Sequence, residues 1–154
     1  MEVNVLFDAG LEGVANKVWL CAVAEAVLVA EGQPDAELGI VITGQAKIRE
    51  LNKLYRGKDQ PTDVLAFAMR DNPSDIFFPA SEDALDHLGE VIISAEQAAI
   101  QAGRHRHSVE REIAILLVHG VLHLIGYDHS ELEEEKVMND RAQAILKHLS
   151  RRAP

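Results

Sequence analysis

The chain has 154 residues and is 47% hydrophobic, enough to bury one core and too little to argue for two, so it reads as a single domain over residues 1–154. Twenty-five Asp and Glu against fifteen Lys and Arg give a formal charge of −10, which excludes a surface that attracts polyanions as a whole. No cationic stretch precedes an apolar run at the N-terminus, the apolar stretch Val18–Ala30 is broken by Glu25, and the single Cys21 rules out an intrachain disulfide, so the expectation is a cytoplasmic protein with no membrane contact and with Cys21 as core packing.

Val3–Phe7 alternates apolar and polar residues as a short strand does, and Leu38–Thr43 is a β-branched second strand. The dense apolar positions from Val14 to Val29 between them predict a helix, stopped by Gly32 and Pro34. Thr43 is placed to cap a further helix reaching about Leu54, with Gly57 and Pro61 marking the loop that follows. Val64–Met69 is the third strand. Asp71–His87 has Pro73, Pro79 and scattered acids but no periodicity, and is expected to form a mobile flap. Leu88–Ile93 is the fourth strand, after which Ser94 and Gln97 form a capping box for a short helix ending near Gly103. Ser108 opens the next helix, apolar almost all round from Ile113 to Ile125 and therefore expected in the middle of the domain, with Gly126 ending it. Ser130 and Glu133 form a capping box for a last helix to about Leu149. Four short strands and about five helices, three of them closing the chain, predict an α+β fold: a small mixed sheet packed with helices.

The charge is segregated. Lys47, Arg49, Lys53, Arg56 and Lys58 form one basic segment, and Arg104, Arg106 and Arg111 with His105 and His107 form another. Both are expected to face the functional cleft, which leaves an acidic protein a local anion site.

The most informative stretch is His119-Gly-Val-Leu-His123-Leu-Ile-Gly126-Tyr-Asp-His129. Residues four apart on a helix lie about 40° apart on one face, one turn above the other, so His119 and His123 have chelating geometry. Gly126 lets the backbone turn so that His129 reaches the same ion. Three imidazoles form the ligand set of a catalytic Zn²⁺, with the fourth position left to water, and a closed structural site would want a fourth protein ligand such as Cys. One zinc per chain, held by His119, His123 and His129, is the expectation. Asp128 is a candidate to orient a ligating ring or a solvated turn acid. Glu112, two turns before His119, is a candidate proton acceptor or a first-turn dipole partner. The spacing is also similar to that of the metzincin proteases, but these need a Glu directly after the first histidine, where this chain has Gly120. Met138 falls within a predicted helix and not in a turn.

The segment His119–His129 matches H-G-x-L-H-L-x-G-Y-D-H at every fixed place, and Leu51-Asn52, Tyr55-Arg56-Gly57-Lys58, Pro61-Thr62-Asp63-Val64-Leu65 and Leu88-Gly89-Glu90 precede it in matching order. In these blocks the chain resembles the YbeY family of bacterial rRNA maturation factors. The resemblance implies a zinc-dependent, single-strand-specific endoribonuclease that matures ribosomal RNA, notably the small-subunit 3′ end, and serves ribosome quality control. Its implied partners are ribosomal RNA and the small ribosomal subunit, not DNA. It further implies that Arg56 is the functional arginine, a role that suits a guanidinium, whose fork fits phosphate oxygens and offsets charge developing on a phosphoryl group. A non-catalytic ribosome-assembly factor braced by its metal is the alternative from a different class.

Overall fold

The computed structural model describes residues 1–69, 86–127 and 132–150. Its elements run β1 (Glu2–Phe7), α1 (Lys17–Ala30), β2 (Ala36–Thr43), α2 (Gln45–Arg56), β3 (Val64–Ala68), β4 (Asp86–Ser94), α3 (Ala95–His105), α4 (Val109–Ile125) and α5 (Leu132–Ser150). The strands form one mixed sheet in the order β1-β2-β4-β3, with β1, β2 and β4 parallel and β3 antiparallel to β4. The α+β expectation is met, and all four strands and five helices stand where the hydrophobic pattern places them.

Two cores explain the pattern. Leu38, Ile40 and Ile42 of β2 alternate with Val41, and Val91 and Ile93 of β4 alternate with Ile92, so each strand feeds both faces of the sheet. The larger face packs α1, α4 and the apolar positions of α3 and α5, through Leu20, Val27, Leu117 and Val121 among others. The smaller face is covered by α2, where Ile48 and Leu51 meet Val41, Leu65, Phe67 and Ile92. All eight residues of β2 are buried, as expected of a parallel strand covered on both faces. Helix α4 is buried along most of its length, which is why its sequence is apolar nearly all round.

Three local expectations need correction. Thr43 does not cap α2: it is the last residue of β2, its hydroxyl bonds the Asp8 carboxylate, and the cap position belongs to Gly44, which offers no side chain. A threonine at a strand end beside an acceptor spends its hydroxyl across the sheet and not on the next helix. Helix α3 continues past Gly103 to His105 and closes on Arg106, a non-glycine residue at φ 58 and ψ 44. The capping box on α3 is half made: Ser94 Oγ accepts from the Gln97 N–H at 3.2 Å, but the Gln97 side chain accepts from Gln45 of α2 instead of reaching back. The expected flap over Asp71–His87 falls almost wholly outside the described residues, with Asp86 and His87 belonging to β4. Cys21 is half-buried against β1, and burial pushes its thiol pKa up. Among the described residues no helix is long and apolar enough to cross a membrane.

Candidate active site

Helix α4 begins at Ser108, whose hydroxyl accepts from the Arg111 N–H at 3.1 Å, and ends at Gly126 with φ 126. The Gly126 and Tyr127 N–H groups bond back to the Leu122 carbonyl at 3.2 and 3.1 Å. Glycine is needed there because few L-residues tolerate that φ. Beyond it, the Tyr127 hydroxyl donates to Glu31 at 2.9 Å, and Arg141 of α5 donates to the other oxygen of Glu31 at 2.5 Å and to the Ala30 carbonyl at 2.9 Å. The exit of α4 and the body of α5 are thereby fastened to the end of α1. The Glu31 carboxylate beside it raises the Tyr127 phenol pKa.

His119 and His123 are both half-buried and line one pocket of about 120 Å³ with Gly120 of α4, Val64 and Ala66 of β3, Met138 of α5 and Arg56 from the end of α2. The two histidines and Arg56, distant in sequence, are therefore brought together. His129 and Asp128 lie outside the described residues. Two imidazoles one helical turn apart at a shared cavity suit a borderline-soft divalent ion such as Zn²⁺.

Gly120 has a specific steric cause. A Cβ built there would sit 2.6 Å from Cγ1 of Val91, so α4 lies against β4 only because this residue has no side chain. The general-base glutamate of a metzincin at this position would be driven into the sheet and not toward an ion. Met138 is buried within α5, not in a turn beneath the histidines. Both observations weigh against peptide hydrolysis.

Arg56 arrives from the opposite face of the sheet. Gly57, at φ 69, ends α2, and the Arg56 side chain passes around the edge strand β3. Its Nη2 donates to the Ala66 carbonyl at 2.8 Å, and its guanidinium carbon stands 5.5 Å from the centroid of the Phe67 ring. Tyr55 packs on the same ring at 5.3 Å. One carbonyl and one aromatic face thus aim an exposed cation along the pocket rim. The loop that follows is held by Asn52, which donates to the Gln60 carbonyl at 2.9 Å, and by Asp63, which accepts from the Val64 N–H at 2.8 Å and from Gln101 of α3 at 3.2 Å. Of the remaining basic residues between 47 and 58, Lys47 faces Asp8 at 3.9 Å and Arg49 pairs with Asp59 at 2.8 Å. The expectation that this whole segment faces the cleft holds for Arg56, while those two are engaged elsewhere.

Sequence reasoning missed a second cluster. Glu112 is 2% exposed, and one of its oxygens meets both His105 Nδ1, at 3.1 Å, and His107 Nε2. Among the described residues these three form the cluster of three ligand-type side chains close enough together to share a metal ion. Burial raises the Glu112 pKa, but the hydrogen bonds and charge of His105 and His107 outweigh it and hold the carboxyl below its ordinary range. Glu112 is therefore neither a free proton acceptor nor only a dipole partner. The left-handed turn at Arg106 brings both rings onto one carboxylate, and no glycine there signalled such a turn.

A family model described as Endoribonuclease YbeY matches residues 11–150. An Endoribonuclease YbeY of Dehalococcoides mccartyi is 47% identical over 155 aligned positions, covering 97% of both chains. That of Pelotomaculum thermopropionicum is 42% identical, covering 97% of this chain and 93% of its own. The solution structure of TM1509 from Thermotoga maritima superposes with a TM-score of 0.59 at 25% identity, covering 94% of this chain and 87% of the other.

Proposed function

The chain belongs to the Endoribonuclease YbeY family, and on that premise we propose that it is a cytoplasmic, zinc-dependent endoribonuclease specific for single strands, maturing the 3′ end of small-subunit ribosomal RNA and serving ribosome quality control. The observation that supports this reading best is the convergence of His119, His123 and Arg56 on one pocket. His119, His123 and His129 would hold the ion, which when bound supplies Lewis acidity and a bound water of lowered pKa. Arg56, which lines the same pocket, would fork onto a phosphate oxygen and offset the charge that grows there in the transition state. Its fixed placement by Ala66 and Phe67 reduces the reorganisation needed at that moment. Val64, Ala66 and Met138 supply apolar walls, which strengthen each electrostatic contact by limiting water.

The test is cleavage of ribosomal RNA precursors, free and in small subunits, by the zinc-loaded protein with a metal-stripped control. Replacing His123 by Ala should abolish bound zinc and cleavage together. Arg56→Ala should keep zinc and lose about 10²- to 10³-fold in rate. Stoichiometric zinc without cleavage of any single-stranded RNA would overturn the enzymatic reading in favour of a metal-braced assembly factor.

A further inference from the structure

His119 borders a second, larger space besides the pocket it shares with His123 and Arg56. An open groove of about 760 Å³ runs between α4 and α5; its polar lining is Arg111 and His119 from α4 and Asn139, Asp140, Gln143 and Lys147 from α5, with four apolar side chains of the same two helices between them. Arg111 and His119 are two turns apart, so the groove extends about 12 Å along α4 from the pocket, a length that a few nucleotides span.

Its chemistry is unlike that of the chain as a whole. The protein carries a net charge of −10, yet two cations stand along this groove and both are exposed. Asn139 and Gln143 lie one turn apart on α5, and each amide offers both a donor and an acceptor, which is what the edges of unpaired bases require. In a duplex those base edges are already paired, so amides that meet them act on a single strand. Asp140 opposes an anionic occupant and so provides a control of opposite sign.

We propose that the α4–α5 groove holds the single-stranded RNA flanking the scissile phosphate, with Arg111 and Lys147 taking backbone phosphates and Asn139 and Gln143 meeting base edges. This rests on the endoribonuclease reading, and it locates part of the single-strand preference in a groove away from the metal. The occupant is fixed by continuity: His119 is a wall of both spaces, so a chain held at Arg56 and His119 continues along Arg111.

The test measures binding of a fluorescent single-stranded RNA to the full-length protein carrying His123→Ala, which prevents cleavage, and separately cleavage by the zinc-loaded protein. Arg111→Gln and Lys147→Gln should each reduce the slope of log affinity against log salt by about 0.7 and raise KM for long substrates several-fold. They should leave kcat for an oligonucleotide too short to enter the groove unchanged. Asp140→Asn should tighten binding several-fold. Asn139→Ala with Gln143→Ala should flatten the preference among sequences without changing the salt slope. Unchanged slopes and KM in folded Arg111 and Lys147 variants, while the parent protein cleaves, would overturn the groove alone. Absence of cleavage by the parent protein would remove the reading beneath it as well.

Discussion

Replacing Gly120 by alanine tests the packing that places both α4 histidines. In an unobstructed helix interior Gly→Ala stabilises by about 1 kcal/mol, because the unfolded chain loses freedom and the helix gains a better former. Here the new Cβ would stand 2.6 Å from Val91 Cγ1 and 3.1 Å from Cγ2. Val91 has no solvent exposure, and a β-branched side chain on a strand has little χ1 freedom to yield. Relief therefore requires α4 to move off the sheet, an overpacking cost of about 1–3 kcal/mol. The net expectation is a loss of about 0–2 kcal/mol. Gly103 supplies the control, since a Cβ there meets nothing within 4 Å and Gly103→Ala in α3 should stabilise by up to about 1 kcal/mol. Urea midpoints of the metal-free variants, at equal m, measure both. Adding Val91→Ala to Gly120→Ala should recover part of the loss in a double-mutant cycle, and the single Gly120 variant should bind zinc more weakly because His119 and His123 shift with the helix. A Gly120→Ala protein stabilised as much as Gly103→Ala would refute the contact between α4 and β4 on which the pocket geometry depends.

Gly89→Ala should be far more damaging, by more than about 4 kcal/mol, since Gly89 has φ 138 and its Cβ would fall 2.0 Å from the backbone oxygen of Phe67. That variant should fail to fold or melt well below the parent, as circular dichroism would show. Glu112 has a depressed pKa, so its contribution to stability is fully present above the ordinary glutamate range and is lost as pH falls from 4.5 through the lowered folded value. Glu112→Gln should cost about 1–2 kcal/mol near neutral pH and flatten the acid limb of a stability-versus-pH curve, and an unchanged limb would show that the two histidines do not hold this carboxylate charged. Ser108→Ala removes the hydroxyl that accepts from Arg111 N–H and should lower the urea-derived stability by about 1 kcal/mol.

The elements were legible because each obeys one dominant period. The strands of β2 and β4 read as apolar runs since both faces are covered, and α2 shows its amphipathic stripe through Ile48, Leu51 and Asn52. That His119 and His123 share one pocket was legible because helical spacing alone places them on one face. What the sequence concealed depends on contacts between distant segments. Thr43 resembles a helix cap until the Asp8 carboxylate is seen beside it. The reach of Arg56 around β3 follows from strand order, which periodicity does not encode. The role of Gly120 requires knowing that Val91 lies beneath it. His105, His107 and Glu112 read as part of a basic segment and a first-turn acid because the turn that gathers them is made by Arg106, a residue type that rarely adopts positive φ.

The Ala66 carbonyl that accepts from Arg56 belongs to an outer strand of the sheet, so this guanidinium also shields a backbone group that another molecule's strand would seek. Val64, at the same rim, has its N–H covered by Asp63. Truncating Arg56 would then uncover a sticky margin as well as weakening the reaction, and a sluggish variant should be checked by light scattering for self-association before its rate is read as lost phosphate contact. Under the proposed function, one side chain thus couples turnover to solubility.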